Sequence, residues 1–189
     1  MELAQQVAID PREFRNTLGR FATGVTVITT EINGEVYGMT ANAFMSVSLN
    51  PPLIFISVDN RAKMNGYLAT SGRYGVSILA EHQEHFSRHF AGRPIEGLKI
   101  KFIQKSGLSV LAGAVAHLVA KVVQVMPAGD HTFYLGQVEY LERREEKPLL
   151  FYAGQYGQLH LEPTAHPEPE DELFFFHSHG GYPSSPYSI

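Results

Sequence analysis

Apolar positions along this chain recur in two ways, at helical intervals near the start and in short β-branched runs thereafter. Phe14, Leu18 and Phe21 are separated by four and three residues, one apolar face of a helix. Asp10-Pro11-Arg12-Glu13 precedes them and predicts a start with Asp10 as N-cap, Pro11 at the first helical position and Glu13 closing a capping box. Gly19 and Gly24 bracket the expected end. TGVTVITTEINGEVYGMTAN, from Thr23, reads as two β-branched strands turning at Asn33-Gly34, a strong hairpin signal. PPLIFISVD, from Pro51, is a short continuous apolar strand whose prolines suit its beginning. Residues 61–70 fit a short helix weakened by Gly66. RYGVSILA is a further strand and EHQEHFSRHF a helix. Two β-rich segments, 113–126 and 131–141, flank the turn PAGD, and LLFY forms a last strand.

About six strands linked by turns and short helices predict an antiparallel barrel or sandwich rather than a βαβ repeat. No internal repeat is present. The composition changes near residue 160: five of the eleven prolines and four of the nine histidines lie in the last thirty residues. We therefore divide the chain into a body, residues 1–160, and an extended Pro/His/Phe-rich tail, 161–189. The cluster Leu173-Phe174-Phe175-Phe176 is too apolar to stand in water and is expected to dock on the body or on a partner subunit.

A hydrophobic content of 44% and a charged content of 18% are those of an ordinary globular protein. The net charge of −4 and pI near 6.1 speak against nucleic-acid binding, which calls for a basic face. With no cysteine, disulfides, thiolate catalysis and cysteine-ligated metal are excluded. No apolar run is long enough to span a bilayer, and MELAQQVAIDPREF lacks the features of a secretory signal. The expectation is a cytoplasmic protein that binds neither membrane nor nucleic acid.

The common catalytic signatures are missing: no GxSxG, no HExxH, no P-loop and no GxGxxG opening a helix. His82, His85 and His89 would share one helical face, but Glu81, Glu84 and Arg88 in the same segment read as a solvated surface, and no metal site is expected. His131 differs, because it follows a turn and opens a strand, where a side chain can point from a rigid edge into a cleft. It can equally be a strand-end histidine bonded to Asp130. The stretch GMTANAFMSVSLNPP, from Gly38, is uncharged yet rich in short polar groups. Either the protein satisfies those groups internally, as in a tightly bonded strand and turn, or a planar ligand completes them.

Several motifs resemble, in order, those of the flavin reductase-like FMN-binding domain family. They are Phe14-Arg15-Asn16, Gly19-Arg20-Phe21-Ala22-Thr23-Gly24-Val25-Thr26-Val27, the stretch from Gly38, Phe90-Ala91-Gly92, Gly129-Asp130-His131 and Pro148-Leu149-Leu150-Phe151. The resemblance is greatest to small reductase components of two-component flavin-dependent aromatic monooxygenases. It implies a mainly β fold, a six-stranded antiparallel split β-barrel of Greek-key, FMN-binding type with flanking short helices. It also implies a homodimer that transfers hydride from NADH or NADPH to FMN or FAD, with reduced flavin diffusing to an oxygenase.

Carried over by position, the resemblance implies that Thr40, Ala41 and Asn42 line the isoalloxazine edge, with Phe90 packed nearby. Ser46, Val47, Ser48 and Ser57 would follow the ribityl chain and phosphate. Asn60, Arg61, Ala62 and Lys63 would begin a helix facing the phosphate, His131 would face the nicotinamide, and Tyr152 and Tyr156 would approach the cofactor. A flavin-binding protein of the same fold without reductase activity, and an interaction module built on the tail, are the alternatives.

Overall fold

The computed structural model describes residues 9–162. The Asp10 carboxylate accepts the N–H groups of Arg12 and Glu13 at 2.8 and 2.9 Å and starts helix α1, Pro11–Leu18. Glu13 turns to the Asn16 amide (3.4 Å) instead of closing a box. No residue of α1 is buried, so its apolar face, with Phe14 and Leu18 about half exposed, is presented outward.

The hairpin at Asn33-Gly34 forms as expected, both residues taking positive φ (54° and 81°) between β2, Thr26–Ile32, and β3, Glu35–Ala41. After the two-residue β1, Thr23–Gly24, and this hairpin come β4, Phe44–Leu49, and β5, Pro52–Asp59. Helix α2, Met64–Ser71, leads to β6, Arg73–Ile78, and a 3₁₀ turn, Glu81–Gln83, to α3, Glu84–Phe90. Then follow β7, Phe102–Lys105, β8, Leu108–Leu111, β9, Ala116–Ala128, β10, His131–Arg143, β11, Leu150–Tyr152, and β12, Gln155–Gly157.

The main sheet corrects the expected six-stranded barrel. It has seven antiparallel strands in the order β3-β2-β6-β9-β10-β5-β4 and does not close, since β3 and β4 are its two edges. The cause is local. Asn42-Ala43 bends sharply, with Phe44 N–H bonded to the Asn42 carbonyl (3.0 Å), so the chain leaves β3 without a hairpin and β4 pairs with β5. A segment read as a ligand-facing stretch thus supplies an extra strand. Two small sheets, β1-β11-β12 and β7-β8, complete the fold.

Strand β5 shows how core and site are separated. Ile54, Ile56 and Val58 are buried with Ile28, Tyr74, Val76, Met64 and Leu68, while Leu53, Phe55, Ser57 and Asp59 occupy the opposite, half-buried face. Crowding fixes one neighbour as glycine: a Cβ on Gly136 would lie 2.7 Å from Cζ of the buried Tyr74.

The β7–β8 hairpin is held to the long strands by charge. The ring nitrogens of fully buried His117 lie 2.8 Å from Glu142 Oε1 and 2.7 Å from the Leu111 carbonyl, and Glu142 Oε2 accepts from Lys105 Nζ (2.7 Å) and Tyr140 (2.8 Å). The Lys105 ammonium, above all, draws the Glu142 carboxyl from 4.5 down to about 2. A carboxyl depressed on folding stabilises the protein above its unfolded pKa, and that contribution disappears as pH falls through the folded value. Glu142→Gln is therefore expected to cost about 2 kcal/mol at neutral pH, after allowance for partial exposure. The difference should shrink between pH 4.5 and 2, and a denaturant series across that range checks it.

Candidate active site

Strands β4, β5 and β10 present their outer face to α1 and the segment that follows it, and a cleft of about 1830 Å³ lies between them. Its sheet side carries Phe44, Met45, Phe55 and Phe133, and its helix side Phe14, Leu18 and Phe21. Phe55 and Phe133 meet edge to face, ring centroids 4.8 Å apart, as diagonal neighbours on one face of the β5–β10 pair. Phe21 is 78% exposed and Met45 59%, so among the described residues these walls have uncovered apolar surface.

One end of the cleft is polar. Asp59 and His131 are cross-strand partners. Asp59 accepts from Arg61 three times, from its backbone N–H at 2.8 Å, Nε at 3.0 Å and Nη2 at 2.6 Å. These bonds hold the Asp59 carboxyl well below the usual carboxylate range. Asp130 Oδ1 lies 2.7 Å from His131 Nδ1, which likewise lowers the Asp130 carboxyl. The result is two bonded pairs, Asp130–His131 beside Asp59–Arg61, at the cleft rim.

Of the residues expected from the sequence, Asn42, Ser57, Arg61 and His131 line this cleft. Thr40 is engaged elsewhere, its hydroxyl donating to the Ser87 carbonyl (2.7 Å), and Ala41 is buried with its carbonyl bonded to Thr26 Oγ1 (2.6 Å). Ser46, Val47 and Ser48 lie along edge strand β4, where a register shift sets Val47 apart. Phe90 packs in the second core with Val27 and Leu79 and fills the space over Gly38. Tyr152 accepts from Arg20 Nη1 (3.4 Å), and Tyr156 lies under the Arg88 guanidinium.

The segment 60–63 needs a correction. Its N–H groups were expected to face a phosphate at a helix start, but α2 begins later, at Met64. The N–H of Asn60 is bonded to the Asp130 carbonyl (2.9 Å), that of Arg61 to Asp59 Oδ1 (2.8 Å) and that of Ala62 to the Asp59 carbonyl (2.8 Å). Side chains, not these amides, remain for a ligand there, Arg61 and Lys63 among them.

Sequence reasoning passed over Phe55, Phe133, Asp59 and Thr23. The first two were hidden in apolar strands, where only strand pairing reveals the outward face. Thr23 borders the cleft, and its buried Oγ1 has no hydrogen-bond partner among the described residues.

The cleft combines aromatic walls, an uncharged amide and hydroxyl at Asn42 and Ser57, and a rim carrying the Asp59–Arg61 ion pair. Isoalloxazine fits this donor set: its faces are apolar, and its oxygens and nitrogens need the short polar groups. Comparison with known proteins agrees. The flavin reductase like domain model matches residues 18–160, and the chain belongs to that family.

An NADH-dependent flavin reductase of Rhodococcus sp is 47% identical over 156 residues, 81% of this chain and 89% of the relative. The reductase component of 4-hydroxyphenylacetate 3-monooxygenase of Thermus thermophilus is 44% identical over 139 residues, 74% and 89% of the two chains. Among solved structures, flavin reductase PheA2 in its native state superposes with a TM-score of 0.79 at 48% identity, covering 81% of this chain and all of that one. The NADH:FAD oxidoreductase SgcE6 of Streptomyces globisporus, in complex with NAD and FAD fragments, does so at 0.72 and 37% identity, covering 84% and 99%.

Proposed function

We propose that this protein is an NADH-dependent flavin reductase that reduces FMN or FAD and supplies the reduced flavin to a separate flavin-dependent oxygenase. The observation that carries the reading is the aromatic cleft with its uncharged polar edge at Asn42 and Ser57 and its rim of Asp59, Arg61 and His131. A homodimer of bodies 1–160 in the cytoplasm, each with a tail 161–189, is part of the same proposal. The exposed apolar face of α1 and the apolar edge residues Val47 and Leu49 support a partner subunit beside the cleft.

A bound flavin supplies the hydride acceptor and the nicotinamide the donor, so the protein needs no nucleophile of its own. What this chain contributes is position and electrostatics. Phe55, Phe133 and Met45 exclude water and offer faces for ring stacking, which holds two flat reactants in contact. Asn42 and Ser57 offer hydrogen bonds to heteroatoms at the ring edge. His131, held through Nδ1 by Asp130, orients the nicotinamide or its amide. Arg61, kept in place by Asp59, offers a cation to a phosphate, with Ser46, Val47, Ser48, Asn60, Ala62 and Lys63 extending that side.

The experiment is NADH consumption by the purified chain with riboflavin, FMN and FAD compared side by side. Flavin-dependent oxidation of NADH is expected. A protein that retains flavin through purification and leaves NADH untouched would instead be a flavin carrier.

A further inference from the structure

Sulfur in this chain is confined to methionine, since it has no cysteine and five methionines. The methionines among the described residues differ in their surroundings. Met64 is buried in the main core, Met39 packs against that core, and Met126 on β9 is half-buried. Met45 is the open one of the four, and it lines the main cleft.

Strand pairing explains this placement. Met45 stands on β4, an edge of the main sheet, with Phe55 of β5 as its cross-strand partner. Paired residues project to the same side of a sheet, so both side chains belong to the outer face that walls the cleft. The thioether is thus beside the aromatic surface that serves flavin in the reductase reading.

A flavin reductase supplies an oxidant for such a group. Reduced flavin that no oxygenase takes up passes two electrons and two protons to dioxygen, giving oxidised flavin and hydrogen peroxide. Peroxide oxidises an accessible thioether: a sulfur lone pair attacks one peroxide oxygen, and the S–O bond forms as the O–O bond breaks. The other oxygen leaves with both protons as water. The sulfoxide that results is polar where the thioether was apolar.

We propose that Met45 is an oxidative modification site, converted to its sulfoxide by peroxide from unclaimed reduced flavin, and that the conversion weakens flavin binding. The inference rests on the reductase reading. A sulfoxide oxygen holds water at a wall whose contribution is apolar contact. Output therefore falls when reduced flavin has no oxygenase to take it, and it returns when the sulfoxide is reduced.

Peptide mapping by mass spectrometry, after hydrogen peroxide alone is added to the full chain, is the first measurement. Met45 is expected to gain oxygen at least about fivefold faster than Met39, Met64 or Met126. An equal or slower rate overturns the proposal. The same mapping follows the protein during turnover of NADH and FMN in air. Met45 sulfoxide is expected to accumulate there, and to be absent when catalase is added or dioxygen is removed. Peroxide production with Met45 left intact overturns the proposal.

Titration of flavin fluorescence reads the consequence. Peroxide-treated protein is expected to bind FMN at least about threefold more weakly, and methionine sulfoxide reductases for both epimers to restore binding. Met45→Leu, compared with itself before and after treatment, is expected to show no such change. Unaltered binding by treated wild type, or an equal loss in the variant, overturns the regulatory role. A protein that oxidises no NADH with any flavin contradicts the reductase reading instead, and the order of oxidation by added peroxide then decides on Met45 by itself.

Discussion

Ser57→Tyr is expected to weaken flavin binding by about a hundredfold, close to 2.7 kcal/mol, while leaving the fold intact. Ser57 sits on the outer face of β5, opposite the core residues Ile56 and Val58, with its N–H bonded to the Ala43 carbonyl (3.1 Å). A larger side chain there grows into the cleft and not into the core. Phe133, its cross-strand partner, walls the space on one side, so a tyrosine ring at 57 would occupy the sheet face on which the account places the isoalloxazine. Titration of flavin fluorescence measures the loss, and a melting temperature within a few degrees of wild type shows that the core is unaffected. Binding within twofold of wild type would mean that flavin does not use this face of the sheet.

His131→Ala should lower kcat/KM for NADH by about ten- to a hundredfold, the cost of removing one orienting hydrogen bond and the ring that makes it. Flavin affinity should change much less. Its place supports a positioning role: His131 begins β10, faces Asp59 across the sheet and is held at Nδ1 by Asp130. A hydride moves with its electron pair, so no proton has to pass through the imidazole at that step. If the variant kept both KM for NADH and turnover, the nicotinamide would have to be oriented by other groups.

Much of the scaffold was legible because its signals are local. Asp10 caps α1 through bonds two and three residues away, and Asn33-Gly34 turns a hairpin by its own backbone preference. The β7–β8 hairpin was missed although Ser106 and Gly107 both take positive φ, because its strands are only four residues long. Strand β4 was missed for a different reason. Its serines read as ligand groups, and nothing within the segment says that Asn42-Ala43 bends it away from β3 and onto β5.

The site divides in the same way. Asn42, Arg61 and His131 reach the cleft because each ends or flanks a strand whose direction the sequence sets, and Ser57 because it falls on the outward face of β5. Thr40 does not, since its hydroxyl meets a carbonyl 47 residues further on, a partner no local pattern reveals. Phe55 and Phe133 needed the register between β5 and β10, since a continuous apolar run hides which alternate residues face outward. The Leu173–Phe176 cluster of the tail lies outside the described residues.

A crystal structure of the protein grown with FMN tests the central claim most directly. The account predicts the tricyclic ring against Phe55 and Phe133, its edge in contact with Asn42 and Ser57, and His131 on the side left open for nicotinamide. Flavin bound elsewhere, with this cleft holding only solvent, would contradict it.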